Sequence, residues 1–264
     1  EALKPAEQFI RERLLQSNLL HADETSFRVE NKKYWAHTVS NAEWTSLSLH
    51  LSRGLEAVKA NNLLPHYKGR VMHDCLSMYF HDKFTFKHAL CGAHLIRECQ
   101  GIIDNDGHFW ATDLKELLQD ACKQAKTARS LELPLSPDLI ADLECRYDEI
   151  LAQGAKEWGP PKRSKLKKGI TKKTKAASLG DRFIKFKPYI LGFLRDAQIP
   201  FDNNQAERDL RMLKVKQKIS GTMRTEDGAV LFLRIRSVIS TLQKQARPIF
   251  DSLFRAFRGQ FIFN

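Results

Sequence analysis

The pattern that most constrains the fold lies in residues 19–75. Leu19 and Leu20 lead into HADETSFRV, residues 21–29, a strand-like stretch. A polar turn, Asn31, Lys32 and Lys33, separates it from residues 34–39, which are rich in the aromatic and β-branched side chains that strands favour. A second turn, Asn41, Ala42 and Glu43, precedes residues 44–51, where Leu47, Leu49 and Leu51 alternate. Three strands joined by short polar turns make an antiparallel meander. Residues 53–62 then read as a helix ended by Leu64 and Pro65, and residues 69–75, GRVMHDC, as a short apolar strand finishing at His73 and Asp74. A strand that follows a crossover helix adds to a sheet in parallel. The expected class is therefore α/β: a mixed sheet flanked by helices, with the fourth strand beside the first.

The remaining segments are mostly helical. Residues 2–18 carry Phe9, Ile10, Leu14 and Leu15 at helical spacing, and residues 91–103 carry Leu95, Ile96 and Cys99 on one face. Residues 84–89 read as one more short strand. From residue 104 the composition shifts to Ala, Leu, Lys, Glu and Gln, and residues 114–129 and 137–153 look like two long amphipathic helices. Residues 160–178 hold eight Lys or Arg and no acid, the pattern of a solvated loop. Helices are expected again at residues 183–194, 227–243 and 249–260.

Composition narrows the partners. Lys and Arg number 43 against 31 Asp and Glu, a formal net charge of +12, which favours a polyanion and nucleic acid above all. No apolar run approaches the roughly 18 residues of a membrane helix, so no membrane partner is expected. Five cysteines, an odd number with no CxxC pair, point to a reducing compartment and thiols buried as small hydrophobes. The chain begins at Glu1 rather than Met, which reads as a fragment.

Residues 200–221, PFDNNQAERDLRMLKVKQKISG, add the chemistry. Asp202, Asn203 and Asn204 are residue types that cap a helix by accepting an orphan backbone N–H. Ala206, Leu210 and Leu213 then form an apolar stripe, with Glu207 in the first turns and Arg208, Arg211, Lys214, Lys216 and Lys218 following. Alone, Glu207 and Arg211 at i, i+4 are an ordinary surface ion pair worth about 0.2–0.5 kcal/mol. Two upstream carboxylates change that balance. Asp23 lies inside the first strand, where a charge needs a partner or a metal. Asp74 ends the fourth strand, at the carboxyl edge where α/β sheets gather functional groups. Neighbouring strands would set the two side by side, and like charges that close repel unless a cation lies between them. Two Mg²⁺ (or Mn²⁺) ions on oxygen ligands would resolve the conflict and serve in-line displacement at phosphorus.

HADET, HDCLSMY, CGAHLIREC and FDNNQAERDLRMLKVKQKISG together resemble the insertion-sequence-66 family of bacterial DDE transposases, over about residues 19–245. The resemblance implies a ribonuclease-H-like catalytic domain whose acidic triad is Asp23, Asp74 and Glu207, with a helical insertion before the last of them. On that reading, residues 1–103 are the first part of the catalytic domain. Residues 104–196 are the insertion with its basic loop, and residues 197–264 the last catalytic helix and closing helices. It also implies Mg²⁺-dependent cleavage and joining of transposon DNA, an assembly of several copies on DNA, a bacterial cytoplasmic, nucleoid-associated setting, and N-terminal helical and zinc-binding modules in longer relatives. One departure is Cys75 after Asp74, where relatives more often have a Gly soon after the Asp.

In CGAHLIREC, Cys91, His94 and Cys99 are too few for the usual four-ligand zinc site. The segment is similar to the CxxH element of several DDE transposases, which makes His94 a candidate beside the active site, the alternative being a buried structural histidine; Arg97, one turn on, would face a phosphate or pair with Glu98 or Asp104. Arg208, Arg211 and Lys214 on the late helix are candidate DNA contacts, with Lys165, Lys167, Lys168, Lys172 and Lys173 in the basic run. His73, Trp35, Trp44 and Trp110 read as structural. Two other functions share these features: a ribonuclease-H-like nuclease or resolvase without strand transfer, and a DNA-binding protein without catalysis.

Overall fold

The structure, a computed structural model, describes residues 1–159, 162–163 and 171–263, with backbone alone at residues 162, 163, 171 and 172. The chain divides into two compact units, Glu1–His88 with Asn203–Asn264, and Ala89–Asp202.

Alternation along β1 (Leu19–Val29) decides the two faces of the sheet in the first unit. Leu20 and Ala22 point into one apolar cluster, and Phe27 and Val29 into another. Side chains alternate with period two, so even positions face the first cluster and odd positions the second. β2 (Lys32–Ser40) pairs antiparallel with β1, and β3 (Thr45–His50) antiparallel with β2. A short helix, α2 (Leu55–Asn61), crosses over to β4 (Arg70–His73), which pairs parallel with β1. With β5 (Lys87–Leu90) outside it, the order is β3-β2-β1-β4-β5, the mixed sheet of a ribonuclease-H-like fold.

The first cluster is closed by the helix α1 (Lys4–Leu15) through Ile10 and Leu14, and by Val238 and Leu242 of α8 (Glu226–Lys244). Leu210 and Leu213 of α7 (Asn204–Ser220) close the second cluster, with Ala229 and Leu233 of α8. The short α9 (Ile249–Phe257) follows, and Ile262 and Phe263 return to the first cluster. The expected strand at residues 84–89 begins later, at Lys87, because Phe84 and Phe86 turn into the core.

The second unit is helical. Its long elements are α3 (Gly92–Asp106), α4 (Phe109–Ser130), α5 (Pro137–Glu157) and α6 (Lys175–Ile190), with a two-residue ladder of β6 (Lys162–Arg163) and β7 (Thr171–Lys172) between the last two. α6 starts eight residues before the expected 183 because Thr174 caps it, accepting from the Ala177 N–H at 3.0 Å while donating to the Trp158 carbonyl at 2.9 Å. It stops at Ile190, and residues 192–194 form a separate 3-10 turn at Gly192.

α4 and α5 meet closely at Gly154. A Cβ there would lie 2.7 Å from Trp110 Cγ, and Trp110, 1 % exposed, is wedged edge-on between Trp158 and Phe183. Gly154→Ala is therefore expected to overpack this junction and lower stability by about 1–3 kcal/mol, read as a fall in the thermal midpoint. An unchanged midpoint would mean the helices separate at no cost.

Candidate active site

One strand register and one packed face put Asp23, Asp74 and the helix of Glu207 on the same side of the sheet in the first unit. In the parallel ladder His21 pairs with Met72, so two steps along each strand set Asp23 beside Asp74, just past the end of β4. Asp23 occupies an odd position of β1 and so faces α7, the helix that carries Glu207.

Asn203 locks that helix to that strand. It sits at the N-cap position, but its side chain makes no capping bond. Instead its amide Nδ2 donates to the Ala22 carbonyl at 2.8 Å and its Oδ1 accepts from His21 Nδ1 at 2.8 Å, with Asn203 only 1 % exposed. The capping role expected for this residue is corrected: two bonds to β1 on the N-terminal side of Asp23 outcompete one bond to the helix's own backbone. A second anchor lies two residues beyond Glu207. Asp209 is buried and accepts from Lys244 Nζ at 2.8 Å, Gln205 Nε2 at 3.2 Å and Thr45 Oγ1 at 3.2 Å.

The electrostatics follow from this placement. Burial pushes the Asp23 carboxyl up from 3.8 to about 7, the Glu24 carboxylate next to it adds to the rise, and Asp74 and Glu207 add further, against one hydrogen bond from the Glu24 N–H. The field of all three other carboxylates therefore reaches Asp23. Asp74 accepts from the Leu76 N–H at 3.1 Å through Oδ1, and its Oδ2 lies 3.8 Å from Arg53 Nη2. Among the described residues, no group of three or more His, Cys, Asp or Glu side chains is arranged around one point as metal ligands. The donor set nonetheless suits a hard divalent cation: its groups are all carboxylates, and their mutual repulsion is what a cation would relieve.

His73 turns away from the acids and is fully buried. Its Nδ1 meets the Asp74 carbonyl, which can only accept, so Nδ1 carries the hydrogen and Nε2 accepts from His88 Nδ1 at 3.0 Å. Burial holds the His73 ring neutral, with its pKa down at about 3. Trp110 and Trp44 pack among aromatic rings, whereas Trp35 carries Lys33 Nζ at 4.6 Å and the Arg53 guanidinium at 5.0 Å over its face.

Sequence reasoning missed Glu24, Arg53, Asn203 and Asp209. Glu24 had a usable signal, being a charged residue at an even position beside apolar Leu20 and Ala22. Arg53 had none, because its partners Trp35, Asp74 and Glu24 lie on other elements, far from it in sequence.

His94 and Arg97 belong to α3 in the second unit; His94 Nδ1 is buried without a hydrogen-bond partner among the described residues, and Arg97 Nε donates to the Ala93 carbonyl at 3.3 Å. Cys99, on the same helix, has its thiol pushed up to about 12 by burial. Arg208, Arg211 and Lys214 are exposed along α7. Lys173 pairs with Asp181. Lys165, Lys167 and Lys168, and the side chain of Lys172, lie outside the described residues.

A family model described as "Transposase IS66 family" matches residues 1–231. The chain belongs to this family. No curated protein matches it. Solved structures similar to this transposase-family chain include the HTLV-2 integrase catalytic core domain in complex with magnesium, in its trimeric and dimeric forms. They are 16% and 15% identical, with 34% of this chain covered in each case, 75% and 74% of theirs, and TM-scores of 0.24 and 0.23. Another is a simian T-cell lymphotropic virus intasome in complex with PP2A regulatory subunit B56 gamma, at 13% identity, covering 62% of this chain and 54% of that one, with a TM-score of 0.25. The ribonuclease-H-like fold of the first unit rests on its strand order and register alone.

Proposed function

We propose that the chain is the catalytic core of a DDE transposase, cutting insertion-sequence DNA and joining its ends to a target. Membership of a transposase family supports the reaction class. The observation that carries the site is the parallel register that sets Asp23 beside Asp74 on the face packed by the Glu207 helix. Asp23, Asp74 and Glu207 would hold Mg²⁺ or Mn²⁺, two ions in all. Bound there, the ions would supply Lewis acidity and charge neutralisation at the transferring phosphorus. The protein's own part is to hold the carboxylates: β1 and β4 fix two by register, and Asn203 and Asp209 fix the rotation and depth of α7 for the third.

DNA is the substrate, and the +12 formal charge fits it. We assign phosphate binding to Arg208, Arg211 and Lys214, to Lys165, Lys167, Lys168, Lys172 and Lys173, and to Arg97, with His94 assisting catalysis. Assembly as a homo-oligomer on DNA and a bacterial cytoplasmic setting belong to the same reading. Among the described residues no helix is long and apolar enough to cross a membrane.

Strand transfer with pre-cut transposon ends tests the reaction itself: joined products are expected in Mg²⁺ or Mn²⁺, and cutting without joining would reassign the chain to a nuclease. The phosphate-binding residues are tested by salt. Replacing Arg208, Arg211 and Lys214 together with Gln is expected to flatten the log–log dependence of DNA affinity on salt by about 0.9 for each phosphate no longer neutralised. An unchanged slope would leave these three as a solvated helix face.

A further inference from the structure

Glu24 follows Asp23 in sequence but faces the other side of the sheet, and its side chain has no exposure. Both its oxygens are committed. Oε1 accepts from Arg53 Nε and Nη2, each at 2.7 Å, and Oε2 accepts from the Tyr79 hydroxyl at 3.0 Å. Glu24 is thus a support and not a spare metal ligand. The residue it supports is half exposed: 43 % of the Arg53 side chain remains open to solvent. The guanidinium is held along one edge by Glu24 and across its face by Trp35, with its centre 5.0 Å from the ring centroid. Its Nη2 reaches to 3.8 Å from Asp74 Oδ2.

We propose that Arg53 is a phosphate ligand at the acidic edge of the sheet, binding the DNA backbone beside Asp74. This rests on the transposase reading for the identity of the polyanion. Four carboxylates gather here, Asp23, Glu24, Asp74 and Glu207, and they would repel a phosphodiester. A guanidinium in ion-pair reach of Asp74 offsets that repulsion at the place where DNA must approach. Arginine suits the role because its planar fork can give one edge to a carboxylate and another to a phosphate. The clamp of Glu24, Tyr79 and Trp35 fixes the side chain before DNA arrives, so little further ordering is needed on binding.

The test is equilibrium binding of the full chain to a plain DNA duplex over a salt series, without divalent metal. Arg53→Gln alone would strand the buried Glu24, so the informative variant is the double Glu24→Gln, Arg53→Gln. It leaves net charge unchanged, and a change in slope then reports position instead of overall field. The double variant is expected to bind about five- to tenfold more weakly at low salt, with the slope reduced by about 0.9. Glu24→Gln alone should keep the parent slope. A double variant that melts like the parent and binds with the same affinity and slope overturns the proposal and leaves Arg53 as a counter-ion for Glu24. Should the double variant not fold, Arg53→Lys decides: the charge is kept and the fork lost, so a three- to tenfold weaker complex with the parent slope is expected, and unchanged affinity overturns the proposal. The two readings fail separately. A parent that binds with this slope yet cuts nothing ends the transposase reading and keeps Arg53 as a phosphate ligand. A parent that cuts, beside a folded double variant that binds unchanged, ends only the role of Arg53.

Discussion

Asp23→Asn, Asp74→Asn and Glu207→Gln are each expected to lose DNA cleavage and strand transfer by several orders of magnitude while the fold survives. Each amide keeps the shape of the acid and removes one anionic oxygen donor, and a site of three carboxylates has no spare. Stability should move the other way, most clearly for Asp23. Its folded carboxyl titrates at about 7 against an ordinary 3.8, raised first by burial and then by Glu24, Asp74 and Glu207. A carboxylate with a raised folded pKa costs nothing below the unfolded value, because it is protonated in both states. The cost grows as pH rises from about 4 to 7 and is constant above. At pH 8 the full shift corresponds to an upper bound of about 4 kcal/mol. Metal-free Asp23→Asn should therefore melt several degrees above the parent at pH 8, at about 2–4 °C per kcal/mol recovered, and match it near pH 4. Added Mg²⁺ or Mn²⁺ should close the gap by stabilising the parent only. Ca²⁺, larger and less strict in geometry, should support DNA binding with little chemistry. Full activity in any one variant removes that residue from the site, and full activity in all three ends the transposase reading.

How far the site could be read beforehand depended on the range of the interactions. The meander was legible because turns and alternation are local: Asn31 with its neighbours, and Asn41 with its neighbours, bound three segments whose period is two. The parallel placement of β4 followed from the single crossover, and with it the juxtaposition of Asp23 and Asp74. The HADET segment illustrates what stays hidden. Its first four residues serve different partners. His21 and the Ala22 carbonyl hold Asn203, Asp23 joins the acids, and Glu24 holds Arg53 and Tyr79 on the opposite face. Local pattern marks Asp23 and Glu24 as charges inside a strand, but not whom they serve, because the partners of His21, Ala22 and Glu24 lie 29 to 182 residues away. Asn203 shows the same competition from the other end. Its residue type favours a helix cap, yet tertiary bonds to β1 claim the side chain.

Asp209→Ala is expected to be the most destabilising single change near the site, and to act on chemistry without touching it. The Lys244 ammonium has three donors, and they meet the Asp209 carboxylate at 2.8 Å, the Asn41 carbonyl at 2.8 Å and the Trp44 carbonyl at 3.4 Å. Burial already pulls the Lys244 pKa down, and the Asp209 charge is what opposes that pull. Removing Asp209 leaves a buried cation on backbone carbonyls alone, at a cost of about 3–5 kcal/mol, or a fall in midpoint of roughly 6–20 °C. The paired change Asp209→Leu, Lys244→Met removes both charges and should recover most of that loss, since an unpaired ion costs more than an absent pair. The catalytic consequence separates the two variants from the triad. Asp209 ties α7 to β3 and α8 two residues beyond Glu207, so the single variant should need more Mg²⁺ or Mn²⁺ for half-maximal cleavage while keeping its maximal rate within about tenfold at saturating metal. The triad variants, lacking a ligand, should not be rescued at any metal concentration. A single variant that melts like the parent would mean the buried pair holds nothing in place, and one that is stable but irreversibly inactive would make Asp209 a member of the site.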